Sequence, residues 1–128
     1  MAQYLIQDDG TRLVVAASHP TTPASGDPVR VGKLTGVAIT AEGGGGNAAT
    51  NTTIYFGLRV WDLYVVDNGG SVIAIGAKIY YHDTGTGSPS TSLNNSSASA
   101  DAVFGVALEA IAANGTDRIK VLHIPTLE

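Results

Sequence analysis

The residues of this sequence best suited to moving a proton near neutral pH are its three histidines, His19, His82 and His123. His82 adjoins Asp83, the kind of carboxylate that orients a catalytic imidazole. Acid–base or nucleophilic chemistry also needs a nucleophile held against that base, or a convergent set of metal ligands. The three histidines are far apart in sequence, and no spacing pattern joins them to such a partner. The absence of cysteine removes thiolate catalysis, disulfides and sulfur-ligated metals. Asp8, Asp9 and Asp67 could offer oxygens to a hard cation, but no EF-hand pattern surrounds them, and turn chemistry accounts for their setting. The expectation is a chain without catalytic residues, cofactor or metal, and so not an enzyme.

Two glycine-rich stretches invite a phosphate reading. Gly26-Asp27-Pro28-Val29-Arg30-Val31-Gly32-Lys33-Leu34 resembles a phosphate-binding loop in outline. Its glycines are separated by five residues instead of four, and Leu34 stands where a Ser or Thr would reach magnesium. Pro28 also lacks the N–H that a phosphate cradle would use. A turn between two strands is the expected role. Gly43 to Gly46 has no following Lys-Ser/Thr and no clear helix to present an N-terminus to an anion, so it reads as a loop. The basic residues Arg12, Arg30, Lys33, Arg59, Lys78, Arg118 and Lys120 are scattered in a chain of net charge −4. Without a basic stripe there is no counterion-release drive, and no nucleic-acid partner is expected. No apolar run approaches a membrane span, and no secretory leader is visible in the first residues. The aromatics Trp61, Tyr64, Tyr80 and Tyr81 remain as candidates for contact surfaces, weighed against ordinary core packing.

The elements that must position these residues read as β throughout. The chain suits a single domain over 1–128, rich in Gly, Ser, Thr and Asn and with 14% charged residues. Tyr4-Leu5-Ile6, Leu13-Val14-Val15, Val29 to Val31, Gly36 to Thr40, Val72 to Tyr81 and Arg118 to Ile124 are β-prone runs bounded by turn signals. In Ile54 to Val66, the residues Ile54, Phe56, Leu58 and Val60 share one face, after which Trp61, Leu63 and Val65 form the apolar set. That change of phase predicts a bulge or corner near Val60-Trp61. Asp67-Asn68-Gly69-Gly70 predicts a hairpin turn. Residues 83–100 are polar and predict a long surface loop. Val103 to Ile111 fits either helix or strand on local propensity.

An internal echo decides that case. Gly26-Asp27-Pro28-Val29-Arg30-Val31 leads to Gly36-Val37-Ala38, and Gly76-Ala77-Lys78-Ile79-Tyr80-Tyr81 leads to Gly105-Val106-Ala107. A duplicated β unit, with the 83–100 loop inserted in its second copy, explains the echo and makes 103–109 a strand. The expected fold is all-β: a compact, strongly bent sheet or small barrel built from a duplicated unit, with long surface loops.

Tyr4-x-Ile6-Gln7-x-x-Gly10, Ser25-Gly26-Asp27-Pro28-Val29, Gly36-Val37-Ala38 and Phe104-Gly105-Val106-Ala107-Leu108-Glu109, in that order, resemble the small phage cement, or head-decoration, proteins. The resemblance implies a homotrimer seated on the outer face of an icosahedral capsid, with the major capsid protein as partner. Localisation would be the virion surface after synthesis in the host cytoplasm. Some relatives carry a RecA-like recombinase label, which a chain of this length without a Walker loop does not support. The 41–53 and 83–100 loops look long for the family. The N-terminal arm, residues 1–10, holds the expected capsid contact at Ala2, Gln3, Tyr4, Leu5, Ile6 and Gln7, because a short β-prone segment can add a strand to a neighbour's sheet edge. The alternative is a surface module for host glycans or other cell-surface ligands, with Tyr80, Tyr81 or Trp61 as stacking faces.

Overall fold

The computed structural model describes residues 12–20, 22–67, 70–83, 92–97, 100 and 102–124. The N-terminal arm and its six expected capsid-contact residues lie outside them, as do Asp8, Asp9, Asn68 and Gly69. All described regular elements are strands: β1 (Arg12–Val15), β2 (Pro28–Val31), β3 (Leu34–Ala38), β4 (Thr52–Tyr55), β5 (Arg59–Val66), β6 (Lys78–Tyr81), β7 (Leu93–Asn94), β8 (Ala102–Ala107) and β9 (Thr116–His123). They form an antiparallel sheet, β1-β4-β3-β2, and a closed barrel, β5-β7-β6-β8-β9.

The duplication is written in the pairing. β1-β4-β3-β2 in the sheet has the same order and direction as β5-β9-β8-β6 in the barrel. Gly26 N–H donates to the Ala38 carbonyl at 2.7 Å, and the Asp27 carbonyl accepts from Ala38 N–H at 2.9 Å. In the second unit Gly76 and Ala77 make the same two bonds to Ala107, at 2.7 and 2.9 Å. Gly26 and Gly76 both have φ of 90°, a conformation that side chains rarely adopt, so the echo places glycine where the turn into β2 and into β6 requires it. The glycine of each Gly-Val-Ala triplet serves a different need. A Cβ on Gly36 would lie 2.7 Å from both the Tyr55 carbonyl oxygen and Ile54 Cγ2, and one on Gly105 would overlap the Leu122 carbonyl oxygen. Backbones approach too closely there for any side chain.

Each unit has its own core. Val29, Ala38, Ile54 and Phe56 fill the sheet side, with Leu13, Val15 and Leu34 packed against them. The barrel encloses Leu63, Val65, Ile79, Tyr81, Leu93, Phe104, Ile119 and Val121, and Val37 of the sheet belongs to this second cluster. His123 pins the two together. It is fully buried, its Nε2 lies 3.0 Å from Thr35 Oγ1 on β3, and its Nδ1 lies 3.2 Å from the Gly57 carbonyl oxygen. A carbonyl can only accept, so Nδ1 carries the proton and Nε2 accepts from the Thr35 hydroxyl.

Four expectations change. Ile54 to Val66 is two strands in two different sheets, with the chain crossing at 56–58; the expected corner at Val60-Trp61 is absent, since the β5–β9 ladder runs unbroken through it, and Leu58 and Val60 are exposed while Ile54 and Phe56 are buried. Asp67 to Gly70 does not join a hairpin, because β5 neighbours β7 and β9 and not β6. Val72 to Tyr81 is not continuous: an isolated Ile73–Ile111 bridge precedes the Gly76 turn, and the strand begins at Lys78. Residues 83–100 are not all surface loop. Ser92, Leu93 and Asn94 are buried, and β7 closes the barrel between β5 and β6. Polar residues can occupy that strand because their polar atoms are partnered: the Ser92 carbonyl accepts from His82 N–H, and Asn94 Oδ1 accepts from Ser96 N–H.

A candidate binding groove between the sheet and the barrel

The candidate chemistry disperses in three dimensions. His82 does not pair with Asp83; its Nε2 lies 2.7 Å from the Ser96 carbonyl oxygen. Asp83 instead forms a bidentate ion pair with Arg30, whose Nε donates to Oδ1 at 3.1 Å and whose Nη2 contacts Oδ2. His19 Nδ1 lies 3.7 Å from the same carboxylate and 2.8 Å from the Tyr81 hydroxyl. Burial is the main cause that raises the Tyr81 phenol far above its ordinary value, and the nearby Asp83 carboxylate adds to it. A phenol held neutral in this way is a hydrogen-bond donor, here to the carbonyls of His19 and Pro28, and a poor nucleophile. The cluster ties the loop after β1, the start of β2 and the end of β6 to one another.

His123 is likewise structural. Burial lowers its pKa below the usual imidazole value, against the opposing pull of the Gly57 and Thr35 backbone. Asp67 is buried, and its carboxylate accepts from Asn95 Nδ2 at 3.0 Å and from Asn114 N–H at 2.7 Å. The phosphate-like stretch is the β2–β3 hairpin, turning at Gly32-Lys33. Among the described residues, no three His, Asp or Glu side chains gather as a metal site.

The aromatics are arranged differently from the expected stacking surface. Tyr81 is fully buried, so it presents no face to a ligand. Trp61 instead meets a residue that the sequence did not single out, Tyr55. The two rings stand edge to face with centroids 5.8 Å apart. Arg59 covers both, its guanidinium carbon 4.4 Å from the Tyr55 ring centre and 5.5 Å from that of Trp61. These side chains, with Arg12, Ser25, Gly26 and Ile39, line an open groove of about 310 Å³.

Secondary structure explains the convergence. Arg12 lies directly across from Tyr55 on the β1–β4 ladder. Arg59 and Trp61 sit two residues apart on β5, so both point to the side that Leu63 and Val65 use for the barrel core. The crossing at 56–58 carries the chain from Tyr55 to Arg59 across the seam. The indole N–H of Trp61 is buried with no hydrogen-bond partner among the described residues. A sequence signal existed, since Tyr55, Arg59 and Trp61 flank the phase change, but alternation alone could not show that the strand divides there.

A family model described as "Phage cement protein" matches residues 6–123. No curated protein and no solved structure gives a significant match. The matched span includes every described strand and both copies of the Gly-Val-Ala unit. The chain therefore belongs to the phage cement protein family, whose members are structural components that stabilise the capsid.

Proposed function

We propose that this chain stabilises a phage head by binding the outer surface of the capsid and bridging neighbouring subunits of the major capsid protein. The family match over residues 6–123 carries the reading. The structural logic is mechanical. A ligand that spans two shell subunits resists their separation, and simultaneous contacts raise avidity by about 10²–10⁴ when geometry allows both to engage. A homotrimer would supply symmetric contacts where capsomers meet. The construction of the chain suits such a load: a closed barrel leaves few free edges, and the His123–Thr35 bond joins it to the sheet.

The N-terminal arm, Ala2 to Gln7, is the proposed shell contact, by addition of a strand to a capsid-protein edge. The test compares intact protein with a chain lacking residues 2–7. Purified capsids are imaged and sedimented with each, and light scattering gives the oligomeric state of the free protein. The truncated chain is expected to keep its far-ultraviolet circular dichroism and lose capsid binding. Undiminished decoration by the truncated protein refutes the arm contact. Failure of the intact protein to decorate its own phage's capsids refutes the cement reading as a whole.

A further inference from the structure

We propose that the outer face of the barrel formed by Val60, Ile75, Leu108 and Leu122 binds a second copy of this chain, with Leu13 of the partner subunit set against Leu122. The contact joins the barrel of one copy to the sheet of the next, head to tail. It supplies the subunit interface of the homotrimer proposed above and rests on that reading for its stoichiometry. Leu122 lies directly across from Val60 on one side and from Val106 on the other, so the three side chains share a face. The bond from Gly76 N–H to the Ala107 carbonyl holds the turn that carries Ile75 against the end of β8, where Leu108 follows. Val60, Ile75 and Leu108 are exposed, and Leu122 is half-buried. The rim is charged: Lys120 lies across from Asp62 on the β5–β9 ladder, and its Nζ is 3.8 Å from Glu109. An aliphatic patch with a polar rim has the composition of a protein-binding surface.

The duplication identifies the occupant. Pairing register makes Val60 the second-unit counterpart of Arg12, and Leu122 that of Tyr55. The matching Gly26 and Gly76 turns make Ile75 the counterpart of Ser25. Leu108 N–H bonds the Lys120 carbonyl at 2.9 Å as Ile39 N–H bonds that of Thr53 at 2.8 Å, so these two correspond as well. All four first-unit counterparts line the groove whose other wall is Arg59 and Trp61, at the start of the second unit. In the first unit this face is therefore the seat of the unit that follows it: Trp61 meets Tyr55 edge to face, and Arg59 lies over both rings. The second unit repeats the face, and the like unit available to follow it is the first unit of another chain. The same register makes Leu13 the counterpart of Trp61. Leu13 is half-buried at the margin of the sheet core, as Trp61 is at that of the barrel core. The two contacts are matched in kind: aromatic Trp61 meets aromatic Tyr55 within the chain, and aliphatic Leu13 meets aliphatic Leu122 between chains. A contact between unlike surfaces of identical chains closes into a ring when its rotation permits.

The full-length protein is run on size-exclusion chromatography with light scattering over a range of concentrations from about 1 to 100 μM, without capsids. The expected mass is that of three chains. Val60→Arg with Ile75→Ser installs the first unit's own residues on the same backbone. That pair is expected to leave far-ultraviolet circular dichroism unchanged and to raise the concentration of half-dissociation at least about tenfold, as a charge set in an apolar contact does. The chain has no cysteine, so single replacements report contact directly. Leu13→Cys and Leu122→Cys proteins refolded together are expected to be joined by a short bismaleimide, and neither protein to be joined to itself. A monomer at every concentration, which would leave the face to a capsid protein, overturns the proposal. So do unchanged assembly of the folded Val60→Arg, Ile75→Ser protein and linkage of Leu122→Cys protein to itself. A trimer insensitive to the two substitutions refutes this contact and leaves the cement reading standing. Failure of intact trimer to decorate capsids does the reverse.

Discussion

Gly105→Ala tests the closest approach found at any of the described glycines. A Cβ at this position would overlap the carbonyl oxygen of Leu122, stand 2.9 Å from that residue's carbonyl carbon and 3.1 Å from Cα of His123. All three obstacles are backbone atoms of β9, so no side-chain rotation relieves the clash. β8 must move away from β9, which strains the Gly105–His123 and Val106–Leu122 pairings. It also disturbs the His123 ring, packed 4.7 Å from Phe104. Overpacking commonly costs about 1–3 kcal/mol, and a rigid obstacle places this case near ~3 kcal/mol. For a domain of this size that corresponds to a loss of about 10 °C in Tm. Gly32→Ala is the control. Gly32 has φ of 61° with nothing within 4 Å of a built Cβ, so it costs only the left-handed conformation, about 1–2 kcal/mol. Gly36→Ala, with obstacles at 2.7 Å, should fall between the two. Urea and thermal unfolding followed by circular dichroism and Trp61 emission give the three values. A Gly105→Ala protein no less stable than Gly32→Ala would refute the close-approach account of the repeated glycine.

The buried His123 makes stability depend on pH in a defined direction. Its folded pKa lies below the ordinary 6.5, so the unfolded chain takes up a proton first as pH falls. Its contribution is complete above pH 6.5 and declines as pH drops from 6.5 through the folded value. His123→Phe, which copies the equivalent Phe56, should flatten the stability profile over that window in urea unfolding; an unchanged slope would count against the burial of a neutral ring. The Arg30–Asp83 pair is sheltered and bidentate, so a double-mutant cycle with Arg30→Gln and Asp83→Asn should give a coupling of about 1–2 kcal/mol. A coupling near zero would mean that the pair is a bystander to the Tyr81 cluster.

Much of this architecture was legible in the sequence, for reasons that particular residues make plain. Gly26 and Gly76 announce the same turn because φ of 90° excludes other residues, and Gly36 and Gly105 announce the same close approach. Those four glycines, with the Val-Ala that follows Gly36 and Gly105, carry the duplication through a chain in which most other counterparts differ. The strand at Ala102–Ala107 followed from that echo, where propensity alone was divided between helix and strand. The division of 54–66 into β4 and β5 was hidden because alternation reports which face a residue takes and not which partner strand it pairs with. β7 was hidden because it is two residues long and lies in a polar tract, where hydrogen bonding permits the burial of Ser92 and Asn94.

The groove was hidden for the same physical reason that makes it informative. Arg12, Tyr55, Arg59 and Trp61 come from three strands and acquire a common setting only when the chain crosses from sheet to barrel at 56–58. In the second unit, the counterparts of Arg12, Ser25 and Tyr55 are Val60, Ile75 and Leu122, of which Val60 is 48% and Ile75 70% exposed. Two copies of one backbone thus offer surfaces of opposite kind, one cationic and aromatic, the other aliphatic. Both copies build the same turn and the same ladder. The difference lies in the side chains each copy sets on that ladder, Arg12 and Tyr55 in the sheet against Val60 and Leu122 in the barrel, and alternation in the sequence reports neither pairing.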